Sequence, residues 1–252
     1  MKLDLVLDIG NSLIKAGLFD EQKLVGTFFI TSHPVSKEEL LGYLKDKPIQ
    51  NALISSVNAK AEEAVKAVLD ENRIKYFFLD SSKLKLVLDV DEPEQVGADR
   101  IANAYGALTR FPINDAIIID IGTAITVDLV AKEGHYLGGM IYPGAGLCAK
   151  ALADYTDKLP LVTLQKPSSA LAKTTESHLQ AGIYYGQLGA IERMIAELKL
   201  AALTPSSIKI IATGGATRNE EFIEDLKELV DFIDPHLTLI GMHEILTELK
   251  KE

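Results

Sequence analysis

Leu3-Asp4-Leu5-Val6-Leu7-Asp8-Ile9-Gly10-Asn11-Ser12 opens the chain, and its closing motif returns as Asp120-Ile121-Gly122-Thr123-Ala124 behind Ala116-Ile117-Ile118-Ile119. In both places a run of leucine and β-branched side chains reads as a buried strand. Each run ends on an acid, a glycine, and a hydroxyl or amide residue. That order makes a tight β-turn whose backbone N–H groups and short polar side chains can face a phosphate. Each turn leads into a second strand-like run, Leu13 to Phe19 and Ile125 to Val130. The copies begin 112 positions apart in a chain of 252 residues. The sequence therefore predicts two similar halves with a nucleotide between them.

Outward from the first turn, strands are expected at 3–9, 12–19 and 23–30. A helix at 36–46 follows His33-Pro34, with Ser36 as its N-cap. A strand at 52–55, an amphipathic helix at 59–71 and a strand at 74–79 come next. Residues 81–97 are mixed, and helix 99–110 leads to the second half. There, strands 116–120, 124–131 and 135–142 precede helix 145–154, a loop with Pro160 and Pro167, and a long helix 175–202. Gly182, Gly186 and Gly189 on that helix permit close approach of another helix, or a kink. Strand 208–213, helix 218–229 and a terminal helix from 242 finish the pattern. Three consecutive antiparallel strands followed by alternating helix and strand, twice over, is a mixed-sheet α/β plan. A Rossmann or P-loop reading needs a helix directly after the first strand. The pattern G-x-x-x-x-G-K-[ST] is absent, and Gly144-Ala145-Gly146-Leu147-Cys148-Ala149 fits G-x-G-x-x-A only loosely.

The hydrophobic content is 47% and the charged content 25%, as in an ordinary soluble globular chain. No apolar run reaches the roughly 20 residues a membrane helix needs, and no signal-peptide pattern opens the chain. The single cysteine, Cys148, excludes an intrachain disulfide, suits a reducing cytoplasm, and reads as a small buried apolar residue. A formal net charge of −10 argues against nucleic acid as the main partner. The five histidines lack metal-ligand spacing and read as surface or structural residues.

Several side chains could carry chemistry. Asp8 and Asp120 at strand ends can hold a hydrated Mg²⁺ or another cation beside phosphates, or can merely close Asx-turns. The repeat favours function for the pair. Lys15 can neutralise a β- or γ-phosphate, or run its stem along apolar surface to water. In Gly97-Ala98-Asp99-Arg100, Asp99 can cap a helix beside a solvated arginine. Alternatively Asp99 takes the proton of a substrate hydroxyl attacking γ-phosphate, while Arg100 grips a carboxylate with its planar fork. Gly138 to Gly144 and Thr213-Gly214-Gly215 are glycine-rich turns that admit a ring or a phosphate close to the backbone.

Together these segments resemble the type III pantothenate kinases of the acetate and sugar kinase / Hsp70 / actin superfamily. The resemblance runs through nearly the whole chain. Asp8-Ile9-Gly10-Asn11-Ser12-Leu13-Ile14-Lys15 is similar to that family's first phosphate motif, with Ser12 where threonine is usual. Gly97-Ala98-Asp99-Arg100 is similar to its pantothenate motif, whose aspartate is the general base. Asp120-Ile121-Gly122-Thr123-Ala124-Ile125-Thr126 is similar to the second phosphate motif, which implies a monovalent cation (K⁺ or NH₄⁺) at Asp120 and ATP contact by Thr123. Gly138 to Gly144 resembles the motif on the interface side. Thr213-Gly214-Gly215 resembles the adenosine turn, and Thr175 a substrate-contacting threonine. One position departs: Val90 stands where the family often has a tyrosine, so a hydroxyl contact to the substrate is missing or supplied differently.

The resemblance implies two tandem RNase H-like (actin-like ATPase) domains, 1–112 and 113–252, with mixed five-stranded sheets and an interdomain cleft. It implies ATP-dependent phosphorylation of pantothenate at the start of coenzyme A biosynthesis, with Mg²⁺, in the cytoplasm, by a homodimer whose interface helps form the pantothenate site. Helices 99–110 and 175–202 are the candidate dimer surfaces. Two other readings remain: a superfamily phosphohydrolase acting on polyphosphate or a nucleotide, for which Asp99-Arg100 has no obvious job, and a non-catalytic accessory factor in gene regulation, which an intact Asp99, Asp120 and Lys15 oppose.

Overall fold

The computed structural model describes residues 2–111, 113, 115–131, 133–202 and 207–251. Its elements are β1 (Leu3–Ile9), β2 (Leu13–Asp20), β3 (Lys23–Thr31), α1 (Lys37–Leu44), β4 (Ile49–Ser56), α2 (Ala59–Glu71), β5 (Lys75–Phe78), β6 (Val87–Leu88), α3 (Ala98–Arg110), β7 (Ala116–Ile121), β8 (Ala124–Ala131), β9 (His135–Pro143), α4 (Ala145–Asp154), α5 (Thr175–Ala201), β10 (Lys209–Thr213), α6 (Glu220–Leu226), β11 (Phe232–Ile233) and α7 (Leu237–Leu249). They divide into two compact units. One comprises Met1–Val87, Glu92–Phe111 and Leu237–Glu252; the other comprises Leu88–Asp91 and Pro112–His236. Among the described residues no helix is long and apolar enough to cross a membrane.

The first unit is built on a five-stranded sheet in the order β3-β2-β1-β4-β5. The β1–β2 and β2–β3 pairs are antiparallel, and the β1–β4 and β4–β5 pairs parallel. Leu5, Leu7 and Ile9 of β1 alternate inward and cluster with Ile14 of β2, Leu40 and Leu44 of α1, and Val65, Val68 and Leu69 of α2. The caps are local. Ser36 Oγ accepts from Glu39 N–H at 3.1 Å, as expected; Asn58 Oδ1 accepts from Ala61 N–H at 3.2 Å and starts α2.

Helix α7 belongs to this unit, whereas the sequence placed its residues in the second half. The reason lies in two glycines. A Cβ on Gly241 would stand 1.7 Å from Ala102 O, and one on Gly106 would stand 2.5 Å from Leu237 O. Without those side chains α3 and α7 pack backbone to backbone. Leu237, Met242, Ile245 and Leu246 are then buried. The buried His243 ring stacks on Phe19 with centroids 4.1 Å apart. Its Nε2 stands 3.5 Å from Asp4 Oδ2. Asp4 also accepts from Lys250 and from Asn51 Nδ2. Burial pushes the Asp4 carboxyl up, but hydrogen bonds from His243, Lys250 and Asn51 outweigh it and hold the group well below the usual carboxylate range.

The second unit repeats the plan. Its sheet has six strands, not the five expected, in the order β11-β10-β7-β8-β9-β6. The short β6 adds an edge beside β9, where Asp89 N–H donates to Tyr136 O at 2.9 Å. Ile117, Ile119 and Ile121 of β7 pack with Tyr184, Ile191 and Ile195 of α5 and with Phe222 and Leu226 of α6. Gly182, Gly186 and Gly189 of α5 approach nothing: a Cβ at any of them would have no neighbour within 4 Å among the described residues. The close helix approach expected of them is made instead by Gly106 and Gly241. Cys148 is half-buried rather than buried, its thiol 3.6 Å from Pro143 O.

Candidate active site

Each Asp-Ile-Gly segment ends the central strand of its sheet. In the first unit Gly10 N–H donates to Leu13 O at 3.0 Å and closes the turn, leaving Asn11, Ser12 and Leu13 exposed. Asp8 pairs with Lys15 across β1 and β2, so their side chains lie on one face of the sheet. Lys15 Nζ is 3.9 Å from Asp8 Oδ2, with the side chains 35% and 15% exposed. The Lys15 ammonium thus stands beside the strand-end acid.

In the second unit Gly122 N–H donates to Ala124 O at 3.0 Å, and Gly122, Thr123 and Ala124 are exposed. This turn is one residue shorter than its counterpart. Ile9 pairs with Ile14, but Ile121 pairs with Ile125. The residue across from Asp120 is consequently Thr126, although the repeat counted along the chain aligns Lys15 with Val127. Two glycine turns back this strand end. Gly144 N–H donates to Thr123 O at 2.9 Å, and a Cβ on Gly144 would lie 2.2 Å from Gly122 O. Gly214 has φ +97°, and a Cβ there would lie 2.4 Å from Asp120 Oδ1. Only glycine fits at Gly214 on both counts. Asp120, Thr123 and Gly214 are thus brought together, while Gly215 faces open space.

Two threonines that the sequence placed only within motifs, Thr126 and Thr213, take up positions beside the acid. Asp120 pairs with Thr213 on one side and Thr126 on the other. The Oγ1 atoms of both threonines are buried without a hydrogen-bond partner among the described residues. A buried hydroxyl without a partner carries a desolvation cost unless something fills the gap. The strand register is the signal, and it cannot be read from spacing alone.

The other predicted residues lie apart along the chain. Gly97, not Asp99, is the N-cap of α3. Asp99 is exposed in the first helical turn, where its Oδ1 accepts from Arg100 N–H at 2.9 Å. A Cβ on Gly97 would stand 2.5 Å from that same oxygen, so the glycine makes room for the carboxylate. Ala98 begins the helix and Arg100 is half-buried. Val90 Cγ1 lies 3.4 Å from where a Gly138 Cβ would stand. Thr175 is the exposed first residue of α5, behind a capping box of Thr174 and Ser177. A cavity of about 750 Å³ beside the start of α6 is lined by Lys166, Ser168, Lys173, Gln180 and Glu221, among others. Gln180 is 7% exposed. Lys166 is held by Asp225, which also accepts from Tyr184 Oη at 2.7 Å.

The profile of the type III pantothenate kinases matches residues 4–197. A type III pantothenate kinase of Legionella pneumophila (strain Corby) is 35% identical over 94% of this chain and 96% of its own. Type III pantothenate kinase 1 of Francisella tularensis subsp. holarctica (strain OSU18) is 34% identical over 95% and 96%. Among solved structures, a ROK family glucokinase from Streptomyces griseus in complex with glucose and AMPPNP superposes with a TM-score of 0.53 at 12% identity, covering 96% of this chain and 98% of that one. At that identity the likeness speaks for the actin-like kinase fold alone.

Proposed function

The chain belongs to the type III pantothenate kinases, and from that premise we propose how its residues divide the work. The reaction is ATP-dependent phosphorylation of pantothenate in coenzyme A biosynthesis. The observation that carries the assignment is identity above one third across nearly the whole chain, with both Asp-Ile-Gly turns built as exposed, glycine-closed hairpins.

In the first unit the turn at Gly10–Leu13 and the Lys15 ammonium meet phosphate oxygens, and Asp8 would hold Mg²⁺. When bound, Mg²⁺ neutralises charge on the phosphates. In the second unit Thr123 and its turn meet phosphate. Gly214, Gly215 and the cavity beside α6 take the adenosine end. The acceptor oxygen of pantothenate attacks the γ-phosphorus, the bond to the β–γ bridging oxygen breaks, and ADP leaves. The hydroxyl proton passes to Asp99. Its Oδ1 accepts from the Arg100 N–H, and Oδ2 is the oxygen proposed to take the proton. The Arg100 guanidinium holds the pantothenate carboxylate, and Gly97, Ala98, Val90 and Thr175 line the acceptor. Val90 offers no hydroxyl, so pantothenate is held there by apolar contact.

A monovalent cation, K⁺ or NH₄⁺, fits at Asp120, because the buried hydroxyls of Thr126 and Thr213, without a partner among the described residues, flank it. The exposed glycine face of α5 has room for a second helix, which supports the homodimer. ATP and pantothenate as substrates favour the cytoplasm. An ADP-release assay with and without pantothenate tests the reading. Pantothenate-dependent release is expected; equal release without pantothenate would make the chain a phosphohydrolase.

A further inference from the structure

Helices α3 and α7 cross on small residues, and a buried polar pair lies within the crossing. Leu237 O faces Gly106, and Gly241 faces Ala102 O and Gly106 N. Between these points Thr238 Oγ1 donates to Asn103 Oδ1 at 2.7 Å. Asn103 is 1% exposed and Thr238 6%. Neither residue has a part in the chemistry described above. Burying an amide and a hydroxyl costs desolvation that their bond does little more than offset. Adhesion alone is therefore a poor reason for the pair.

Glycine and alanine let two helices approach but leave open how far one slides along the other. A single buried polar pair closes that choice. A slip of one turn, about 5.4 Å, would strand the Asn103 oxygen without its donor. Asp99 lies one turn before Asn103 on the same face of α3. Helix α7 is itself pinned to the sheet. It lies against β1, β2 and β4. Asp4, near the start of β1, accepts from Lys250 Nζ and stands 3.5 Å from His243 Nε2. Asp8 lies near the other end of the same strand. The attachments run from the strand of the first Asp-Ile-Gly turn, through α7, to the helix that carries Asp99.

We propose that Asn103 and Thr238 are positioning residues for Asp99: their bond fixes the register of α3 on α7, and that register sets where the carboxylate stands. The proposal rests on the reading above that Asp99 accepts the substrate proton. The test is a set of variants of the full-length chain. Each has kcat and KM measured by pantothenate-dependent ADP release well below its melting temperature, and a circular dichroism melt. Thr238→Val keeps the volume and removes the donor. It should lower kcat about tenfold or more, as displacement of a catalytic group does, with the KM for ATP unchanged. Thr238→Ser keeps the hydroxyl and should hold kcat near wild type. In an Asp99→Asn background Thr238→Val should have little further effect, because the group it places no longer takes the proton. Loss of folded protein would instead multiply with Asp99→Asn. Asn103→Leu combined with Thr238→Val removes both polar partners. It should regain most of the melting temperature lost in Thr238→Val, while kcat stays low. This double variant carries the test if Thr238→Val does not fold. With Asp99→Asn slow, three results would each overturn the proposal: wild-type kcat in Thr238→Val, losses that multiply with Asp99→Asn, or recovery of both melt and kcat in the double variant. Full turnover in Asp99→Asn would overturn the reading of the proton acceptor first, and the positioning role with it.

Discussion

Gly241→Ala should be among the most damaging single-methyl additions in this chain. The added Cβ would lie 1.7 Å from Ala102 O, 2.6 Å from Ala102 C and 2.8 Å from Gly106 N. All three are backbone atoms of α3, so no side chain can rotate away. A carbon–oxygen contact normally stays beyond about 3.3 Å, and α7 must therefore retreat by roughly 1.6 Å. A gap of about 1 Å already forfeits up to half of a packed contact's attraction, and Leu237, Met242, Ile245 and Leu246 all ride on this helix. The cost should reach about 3 kcal/mol, the upper part of the range for overpacking. In a chain of this size that lowers the melting temperature by roughly 6–12 °C. Gly42→Ala in α1 is the same chemical change with the opposite sign. Nothing lies within 4 Å of its Cβ, and alanine in a helix interior gains about 0.5–1 kcal/mol over glycine. Circular dichroism melts at matched concentration measure both. A Gly241→Ala melt within about 2 °C of wild type would show that α7 does not dock on α3 through this contact.

Asp99→Asn should lower kcat by about 10²- to 10⁴-fold, the usual share of a positioned proton acceptor, while equilibrium binding of ATP survives; full turnover in the variant would remove Asp99 from that role. Gln180→Leu should raise the KM for ATP about tenfold and narrow the preference for ATP over GTP, and an unchanged preference would dissociate the cavity beside α6 from the nucleobase. The Asp4 carboxyl titrates below its unfolded value of 3.8, so its contribution to stability is present above about pH 4 and is lost as pH falls through the folded value. Asp4→Asn should flatten the acid-side loss of stability in melts between pH 5 and pH 3, and an identical slope in the variant would show the cluster with His243 and Lys250 to be inert. Concentration-dependent sedimentation of the wild type, shifted towards monomer in Gly186→Ala, is expected if the open face of α5 receives a second copy; a monomer at every concentration would remove that surface.

Local chemistry was legible where a segment answers only to itself. The paired turns, the Ser36 cap and the boundaries of α2 follow from residue type and period within a few positions. Legibility failed where a residue's partner lies far along the chain. Gly182, Gly186 and Gly189 advertise close helix packing by their spacing, yet within this chain they meet nothing. Gly106 and Gly241, single glycines 135 residues apart, do the packing. Helix α7 follows the second sheet in sequence but buries its apolar face in the first unit, and no local pattern records that choice. Asp99 looked like an N-cap because acids favour that position. The cap falls two residues earlier, on Gly97, which clears space for the carboxylate.

The same limit governs the site itself. Counting 112 positions from Lys15 lands on Val127, whose side chain lies in the apolar core of the second unit. The comparison made that way sets an ammonium against an isopropyl group and suggests that the second phosphate motif simply lost its cation. A turn shortened by one residue changes the comparison. Because side chains alternate faces along a strand, a one-residue slip moves every downstream residue to the other side. Register then sets Lys15 against Thr126, a hydroxyl on the face of the acid. A repeat found by spacing identifies which segments correspond, but only the hydrogen-bond ladder identifies which atoms do. Here that difference separates an isopropyl group in the core from a hydroxyl beside the acid.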